Sequence, residues 1–335
     1  MVSQAITLKD IAKQLNVSVS TVSRALSNHP RIGLHTKERV LALAKKLNFR
    51  PNPLAVNFKN NKSRNIGIII PELVKHFYSQ LITGAEQLAS KHGYNVVICQ
   101  SNESTEKEEK LIEVLLNSRV EALLICIANE TVDKERFLKI VNRGIPVVFC
   151  DREIANLNIS SVITNDYQGA FAATEYLITK GCKHIAHLAG SENIPNSQSR
   201  KQGYVDAILN HGLLYQKIIF THYLTHQVQV AMRQLLLSKP RPEAVLCYND
   251  YVAFDAIEII KEYELEVGKD ILVIGFADEP IAQYMTPKLT TVLQPAFAMG
   301  EEAMEILLLK LKGGNDEQKQ ILKILDTRLI VRETA

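Results

Sequence analysis

The sequence predicts an α/β chain: a small all-helical head at the N-terminus, then a body of two similar lobes, each built on a parallel sheet. Three observations predict it. Residues 7–28 hold two short helical patterns joined by a tight turn. From Ile66 onward, short apolar runs alternate with amphipathic stretches, as βα units around a parallel sheet do. Two of those runs recur weakly in the second half. E-A-L-L-I-C-I is echoed by E-A-V-L-C-Y, and I-P-V-V-F-C-D by I-L-V-I-G-F-A-D, which implies two lobes rather than one long sheet. A length of 335 residues allows two or three domains, and 46% hydrophobic with 22% charged residues suits a globular chain.

The head comes first. In T-L-K-D-I-A-K-Q-L-N-V-S-V-S-T-V-S-R-A-L-S-N, Ile11, Ala12 and Leu15 fall at helical spacing, and Val22 and Leu26 do so again. Asn16 between them tolerates the left-handed conformation of a tight helix stop. Ser18 is a good N-cap for the second helix. Two helices joined so closely form a helix-turn-helix. The face left over on the second helix carries Val19, Ser20, Thr21, Ser23 and Arg24. These are short hydrogen-bonding groups and one long cation, suited to phosphate oxygens and base edges. An ordinary helical hairpin would show the same periodicity, so charge has to separate the two readings. Residues 1–64 carry twelve Lys and Arg against two acids (+10), and the remainder 27 against 34 (−7). A basic head on an acidic body is the pattern of a polyanion-binding module, and a merely solvated basic surface would not explain so sharp a boundary.

A third helix is expected with Thr36 as N-cap, and Val40, Leu41, Ala44 and Leu47 repeating on its buried face. Pro51 and Pro53 then favour an extended entry. Leu54 to Lys59 has room for a turn or two of helix, marginal on its own, before the polar linker 60–65.

In the body, amphipathic segments such as Tyr78–His92 and Glu106–Ser118 separate the apolar runs. Ligands of open parallel sheets bind beyond the carboxyl ends of the strands. At the ends of successive runs stand Phe77 and Tyr78, then Asp151 and Arg152, then Asn249 and Asp250, then Asp278. Arg200 stands after the H-I-A-H-L-A-G run, with Tyr204 one helical turn later. Aromatic faces with carboxylate, amide and guanidinium groups suit a polyhydroxylated ligand such as a sugar. Any one of these could be a solvated loop residue, but they recur at the same topological end. Arg200 would equally suit a phosphate or acidic metabolite.

Other classes are disfavoured. No nucleophile elbow, P-loop, G-x-G-x-x-G or metal motif is present, so neither an enzyme nor a cofactor is expected. His184 and His187 read as structural. The five cysteines lie far apart without metal-ligand spacing and read as small buried hydrophobes. The N-terminus lacks the apolar core of a secretory signal, and no apolar run could span a bilayer, so a cytoplasmic protein without a membrane partner is expected.

V-S-V-S-T-V-S-R-A-L, preceded by T-L-K-D-I-A, resembles the DNA-binding headpiece of the lactose-repressor/galactose-repressor (LacI/GalR) family of bacterial transcription regulators, and the likeness runs to within a few residues of Ala335. The resemblance implies a headpiece (1–50), a hinge helix and linker (51–64), and a core like a periplasmic sugar-binding protein. The core's first lobe would be 65–163 with 293–324, and its second 164–292 with 325–335. It adds Thr7 and Asn52 to the DNA contacts and makes Phe58 the residue wedged into the central minor-groove step, where the family usually has Leu. It matches Phe77, Tyr78, Asp151, Arg200, Asn249 and Asp250 to effector contacts. Departures are visible: Leu15-Asn16 for the usual Ala-Gly, Val56 for a common Arg, and Ala277-Asp278 for a frequent Asp-Asp. The function implied is a homodimeric regulator, expected to be a repressor, on pseudo-palindromic double-stranded operator DNA, with a carbohydrate-like effector between the lobes. The chain ends without the leucine heptads that make some relatives tetramers. The competing expectation is a cytoplasmic sugar-binding sensor without a transcriptional role.

Overall fold

The computed structural model describes residues 6–47, 49, 63–129, 131, 133–154, 156–222, 224–313 and 319–335. The expected hinge helix, with Asn52, Val56 and Phe58, lies outside the described residues. The chain divides into two units, residues 1–63 and 64–335.

The first unit is a three-helix cluster of α1 (Leu8–Leu15), α2 (Val19–Leu26) and α3 (Leu34–Lys46). Thr7 caps α1 through a capping box: its backbone N–H donates to Asp10 Oδ2 (2.8 Å), and its Oγ1 accepts from the Asp10 N–H (3.4 Å). Asn16 ends α1 at φ 54°, ψ 47°, the left-handed conformation that its side chain permits. The Val17 N–H reaches back to the Ala12 carbonyl (3.0 Å) and closes the turn. Ser18 Oγ accepts from the Thr21 N–H (3.0 Å), as an N-cap should. Ile11, Ala12, Val22, Ala25, Val40 and Ala44 make the core. Two expectations for α3 fail. The helix begins at Leu34 with Gly33 as its cap, because the Gly33 carbonyl already accepts from the Lys37 N–H (3.1 Å), so Thr36 sits inside the first turn. Leu41 faces solvent, 52% exposed, since Val40 and Ala44 already fill the face toward α1 and α2.

The second unit contains two six-stranded sheets. Its strands are β1 (Asn65–Ile70), β2 (Asn95–Gln100), β3 (Ala122–Ile125), β4 (Val147–Cys150), β5 (Ser160–Thr164), β6 (Ile185–Ala189), β7 (Lys217–Phe220), β8 (Ala244–Cys247), β9 (Leu272–Ala277), β10 (Thr290–Leu293), β11 (Leu322–Leu325) and β12 (Arg328–Ile330). The orders β11-β5-β4-β3-β1-β2 and β12-β10-β9-β8-β6-β7 match position for position. The echoed segments take equivalent places: E-A-L-L-I-C-I forms β3 and E-A-V-L-C-Y forms β8, while β4 and β9 hold the other pair. The exception is the last strand, since β11 joins β5 in parallel and β12 joins β10 antiparallel.

Helices cover both faces of each sheet, which is why the strands read as continuous apolar runs. Along β1, Ile66, Ile68 and Ile70 face α4 (His76–Lys91) and α11 (Ala296–Lys312), while Ile69 faces α5 (Thr105–Asn117) and α6 (Glu135–Asn142). Each such side chain contributes about 1.5–3 kcal/mol when fully buried. The α4–α11 crossing needs glycine on both helices. A Cβ at Gly84 would lie 2.1 Å from the Phe297 carbonyl oxygen, and one at Gly300 1.9 Å from that of Leu81. In the second lobe, α7 (Asp166–Thr179) and α8 (Pro195–Asn210) cover one face, and α9 (Thr225–Leu237) and α10 (Asp250–Glu262) the other. The chain passes between the sheets after β5, after β10 and between β11 and β12. The crossings are tied together, for Asn165 N–H donates to the Leu325 carbonyl (2.8 Å) and Gln294 Nε2 to Thr164 Oγ1 (3.0 Å).

Candidate functional site

In the first unit, α2 buries Val22 and Ala25 and turns the opposite face to solvent. Ser18, Val19, Ser20 and Arg24 are exposed, while Thr21 and Ser23 are half-buried. The hydroxyls of Ser20 and Thr21 each lie 2.8 Å from Ser18 Oγ, so Thr21 spends part of its capacity on the helix start. Thr7 is exposed but engaged with Asp10. The groups that remain reaching outward are an apolar Val19, a hydroxyl at Ser20 and the guanidinium of Arg24. That set fits the donors, acceptors and methyl groups of a major groove.

In the second unit, a cleft opens between the carboxyl ends of the two sheets. The first lobe brings Phe77 and Tyr78 from the start of α4, Glu103 from beyond β2, and Asp151 and Arg152 from beyond β4. The second brings Asn196 and Arg200 from α8, Tyr248, Asn249, Asp250 and Tyr251 from beyond β8, Ala277 from the end of β9 and Glu279 from beyond it. Seven of the nine cleft positions expected from the sequence therefore meet here: Phe77, Tyr78, Asp151, Arg152, Arg200, Asn249 and Asp250.

Polar contacts cross the cleft directly. Asn196 Nδ2 of the second lobe donates to Asp151 Oδ1 of the first (3.5 Å), and Asn196 Oδ1 accepts from the Tyr248 hydroxyl (2.9 Å). The His76 N–H of the first lobe donates to Glu279 Oε2 of the second (3.2 Å). Asp151 also accepts from the Tyr78 hydroxyl (3.2 Å) and stands at φ 68°. Burial pushes its carboxyl up, while Arg152 and Arg200 hold it down. Asp250 is sealed inside the second lobe, accepting from Thr291 Oγ1 (2.5 Å) and the Glu279 N–H (2.6 Å). Burial raises it to about 7 against the pull of those two donors. Asn249 is partly occupied as the N-cap of α10, its Oδ1 accepting from the Val252 N–H (2.9 Å).

Two expected site residues do not reach the cleft. Tyr204 is fully buried, and its hydroxyl donates to the Ile185 carbonyl (2.6 Å) at the start of β6. α8 runs back from the cleft along the sheet, so the turn separating Tyr204 from Arg200 carries it about 5.4 Å toward the far end of the strand. Asp278 is aimed elsewhere by the backbone: Ala277 (φ 124°) and Asp278 (φ 59°) turn the chain, and the Asp278 carboxylate pairs with Arg332 at 2.7 Å. Arg200 is already engaged within the protein. Asp166 lies 2.7 Å from both its Nε and Nη2, and its Nη1 donates to the Tyr248 carbonyl (2.6 Å).

Asn196, Tyr248, Tyr251 and Glu279 join the site without having been expected there. Tyr248 and Glu279 stand one residue from expected positions, so the strand-end rule nearly finds them. Asn196 comes from a helix start, and nothing in its local sequence marks it. His187 is buried with Nδ1 2.9 Å from the Leu246 carbonyl, and burial lowers its pKa to about 4, so it is a neutral core group. Cys126, Cys150, Cys182 and Cys247 are buried and Cys99 half-buried. Among the described residues no cluster could hold a metal, and no helix is long and apolar enough to cross a membrane.

Comparison with known proteins joins the two units. Residues 7–52 match the family described as bacterial regulatory proteins, lacI family, and residues 174–335 match a periplasmic binding protein-like domain. The transcriptional repressor CytR of Escherichia coli (strain K12) is 32% identical over 334 residues, spanning 98% of this chain and 96% of the relative. The chain belongs to the LacI family. Among solved structures, the lac repressor dimer bound to operator and the anti-inducer ONPF superposes with a TM-score of 0.86 at 26% identity, covering 99% of both chains. The transcriptional regulator CelR in complex with cellobiose gives 0.75 at 25%, covering 98% of this chain and all of the other. Relatives in this LacI family are transcription regulators, and the headpiece and cleft are the two parts such a protein needs.

Proposed function

We propose that this chain is a homodimeric transcriptional repressor, not an enzyme, acting in the cytoplasm on pseudo-palindromic operator DNA, with its affinity set by a small carbohydrate-like ligand held between the lobes. The observation that carries the reading is the cleft itself: residues from both lobes line one cavity, and Asn196–Asp151 and His76–Glu279 already bridge it. A ligand seated among them binds one lobe arrangement better than another, and any DNA affinity that depends on that arrangement is then coupled to the ligand.

In this reading Val19, Ser20 and Arg24 read bases, with Thr7, Ser18, Thr21, Ser23 and Asn52 placing the helix on phosphates, and Phe58 enters the central minor-groove step. Phe77, Tyr78, Asp151, Arg200, Asn249 and Asp250, with Asn196, Tyr248 and Glu279, form the ligand site. The domain ranges 1–50, 51–64, 65–163 with 293–324, and 164–292 with 325–335 describe the working parts. Dimerisation is supported by the likeness to the lac repressor dimer bound to operator.

The test is selection of binding sites from random duplex DNA, with a subsequent screen of sugars and nucleosides for changes in affinity. A two-fold symmetric site whose occupancy one compound changes is the expected result. Failure to enrich any site would overturn the regulator reading.

A further inference from the structure

A guanidinium beside a ligand cleft ordinarily marks a place for a carboxylate or phosphate. In this cleft its charge is already matched. Asp166, the first residue of α7 and so at the crossing between the lobes, sets one oxygen 2.7 Å from both Nε and Nη2 of Arg200. Asp166 and Arg200 are 4% and 3% exposed, and the second Asp166 oxygen accepts from the Thr164 hydroxyl (3.1 Å). Nη1 donates to the Tyr248 carbonyl, and the Phe276 ring closes one face, its centroid 3.7 Å from the guanidinium carbon. A guanidinium has five N–H donors. These contacts take three of them and leave one hydrogen on each of the two terminal nitrogens that form the outer edge of the group. Those two donors have no uncompensated positive charge behind them.

The other cations around the cleft are matched as well. Arg152 is closed on Glu103 by two hydrogen bonds of 2.9 Å, and Lys75 pairs with Glu72 at 2.9 Å. Asp151, Asp250 and Glu279 complete the charged lining. Among the described lining residues four acids (Glu103, Asp151, Asp250 and Glu279) face three bases (Lys75, Arg152 and Arg200), and with Asp250 protonated the excess of acids rests on Asp166 and Glu72, which pair with Arg200 and Lys75 from outside the lining. An anion entering would meet carboxylates at short range in a poorly screened site, where like charges repel far more strongly than in water.

Resting on the cleft being the ligand site, we infer that it selects an uncharged ligand with vicinal hydroxyls and rejects that ligand's phosphorylated or carboxylate counterpart. The outer edge of Arg200 donates to two neighbouring hydroxyl oxygens, and Asp151 accepts from a hydroxyl on the opposite side. Asp166 is the residue that makes the site blind to anions.

The experiment is calorimetric titration of the full-length protein with matched pairs: ribose and ribose 5-phosphate, glucose and glucuronate, adenosine and adenosine 5′-monophosphate, and with inorganic phosphate alone. In every pair that binds, the neutral member should be tighter by about tenfold or more, and phosphate should not bind. The three pairs also tell a free sugar from a nucleoside. Asp166→Asn removes the matching charge, so phosphate affinity should rise by about tenfold or more, and Asp166→Asn/Arg200→Gln should lose it again. A wild-type protein that binds phosphate, or prefers the anionic member of any pair, overturns the inference. So does a folded Asp166→Asn protein that gains no affinity for phosphate. If that variant does not fold, the wild-type titrations decide alone. Failure of the underlying reading looks different: a ligand bound in the cleft that leaves operator affinity unchanged.

Discussion

Arg200→Ala should first be a stability lesion and only second a ligand-binding one. The change leaves Asp166 buried with a single hydroxyl donor from Thr164 and takes the donor from the Tyr248 carbonyl. Breaking a buried ion pair from one side costs about 3–5 kcal/mol. The hydrogen bonds that the outer edge of Arg200 could give a ligand contribute about 1.5–3 kcal/mol. The structural loss is thus the larger. Urea unfolding monitored by circular dichroism reads it: with a slope of about 3 kcal/mol per M, the midpoint should fall by about 1 M or more. The effect should also depend on pH. Burial pushes the Asp166 carboxyl up, and Arg200 is the largest influence holding it down. Without Arg200 the folded-state value rises further above the unfolded one. Stability from such a group is present at low pH and lost as pH rises through the folded value, so the deficit should be larger at pH 8 than at pH 5. Asp166→Asn/Arg200→Met should recover most of the loss, because no unpaired charge is left. A midpoint shift of only about 0.3 M for Arg200→Ala at pH 8, or a double variant no better than the single, would refute this reasoning.

Three further outcomes rest on named contacts. Asp250, raised to about 7 by burial, should contribute stability that is lost as pH rises through that value; Asp250→Asn should flatten the pH dependence between about 4 and 7, and an unchanged slope counts against the assignment. Asn16→Gly should leave operator affinity intact, whereas Asn16→Val should destabilise the head by about 1–2 kcal/mol, because a β-branched residue resists φ 54°; calorimetric melting distinguishes them. Arg24→Ala should lose about 1–3 kcal/mol of discrimination at one base pair, read by competition among single-base operator variants, and full retention of specificity would make it a phosphate contact.

How much the sequence disclosed depended on how local each cause was. The headpiece was legible because its causes lie within a few residues: the Asn16 turn, the Ser18 cap and the spacing of Ile11, Ala12, Leu15, Val22 and Leu26. The start of α3 was misplaced because Thr36 is a good cap by type, while Gly33 wins by backbone conformation alone. In the body, the two echoed motifs occupy equivalent strands, β3 with β8 and β4 with β9, and strand ends pointed to seven cleft positions. The rule failed where direction mattered. Tyr204 shares a helix face with Arg200 but lies one turn deeper, and two positive φ angles turn Asp278 toward Arg332. Asn196 and Asp166 come from a helix start and a lobe crossing, whose positions only the assembled lobes define. Asp166 changes the chemistry most, since Arg200 read by itself suits an acid as well as a sugar.

The central claim is that the cleft controls the DNA affinity of the head, and Asp151→Asn tests it most directly. Asn tolerates the φ of 68° at this position and keeps the side chain's size, while replacing one acceptor oxygen with a donor. The measurement is operator affinity of the full-length protein, wild type and variant, across a titration of whichever ligand the screen finds. Both proteins should bind operator equally without ligand, and the variant should need about ten- to a hundredfold more ligand for the same change in affinity. A variant that responds at the wild-type ligand concentration would contradict the account.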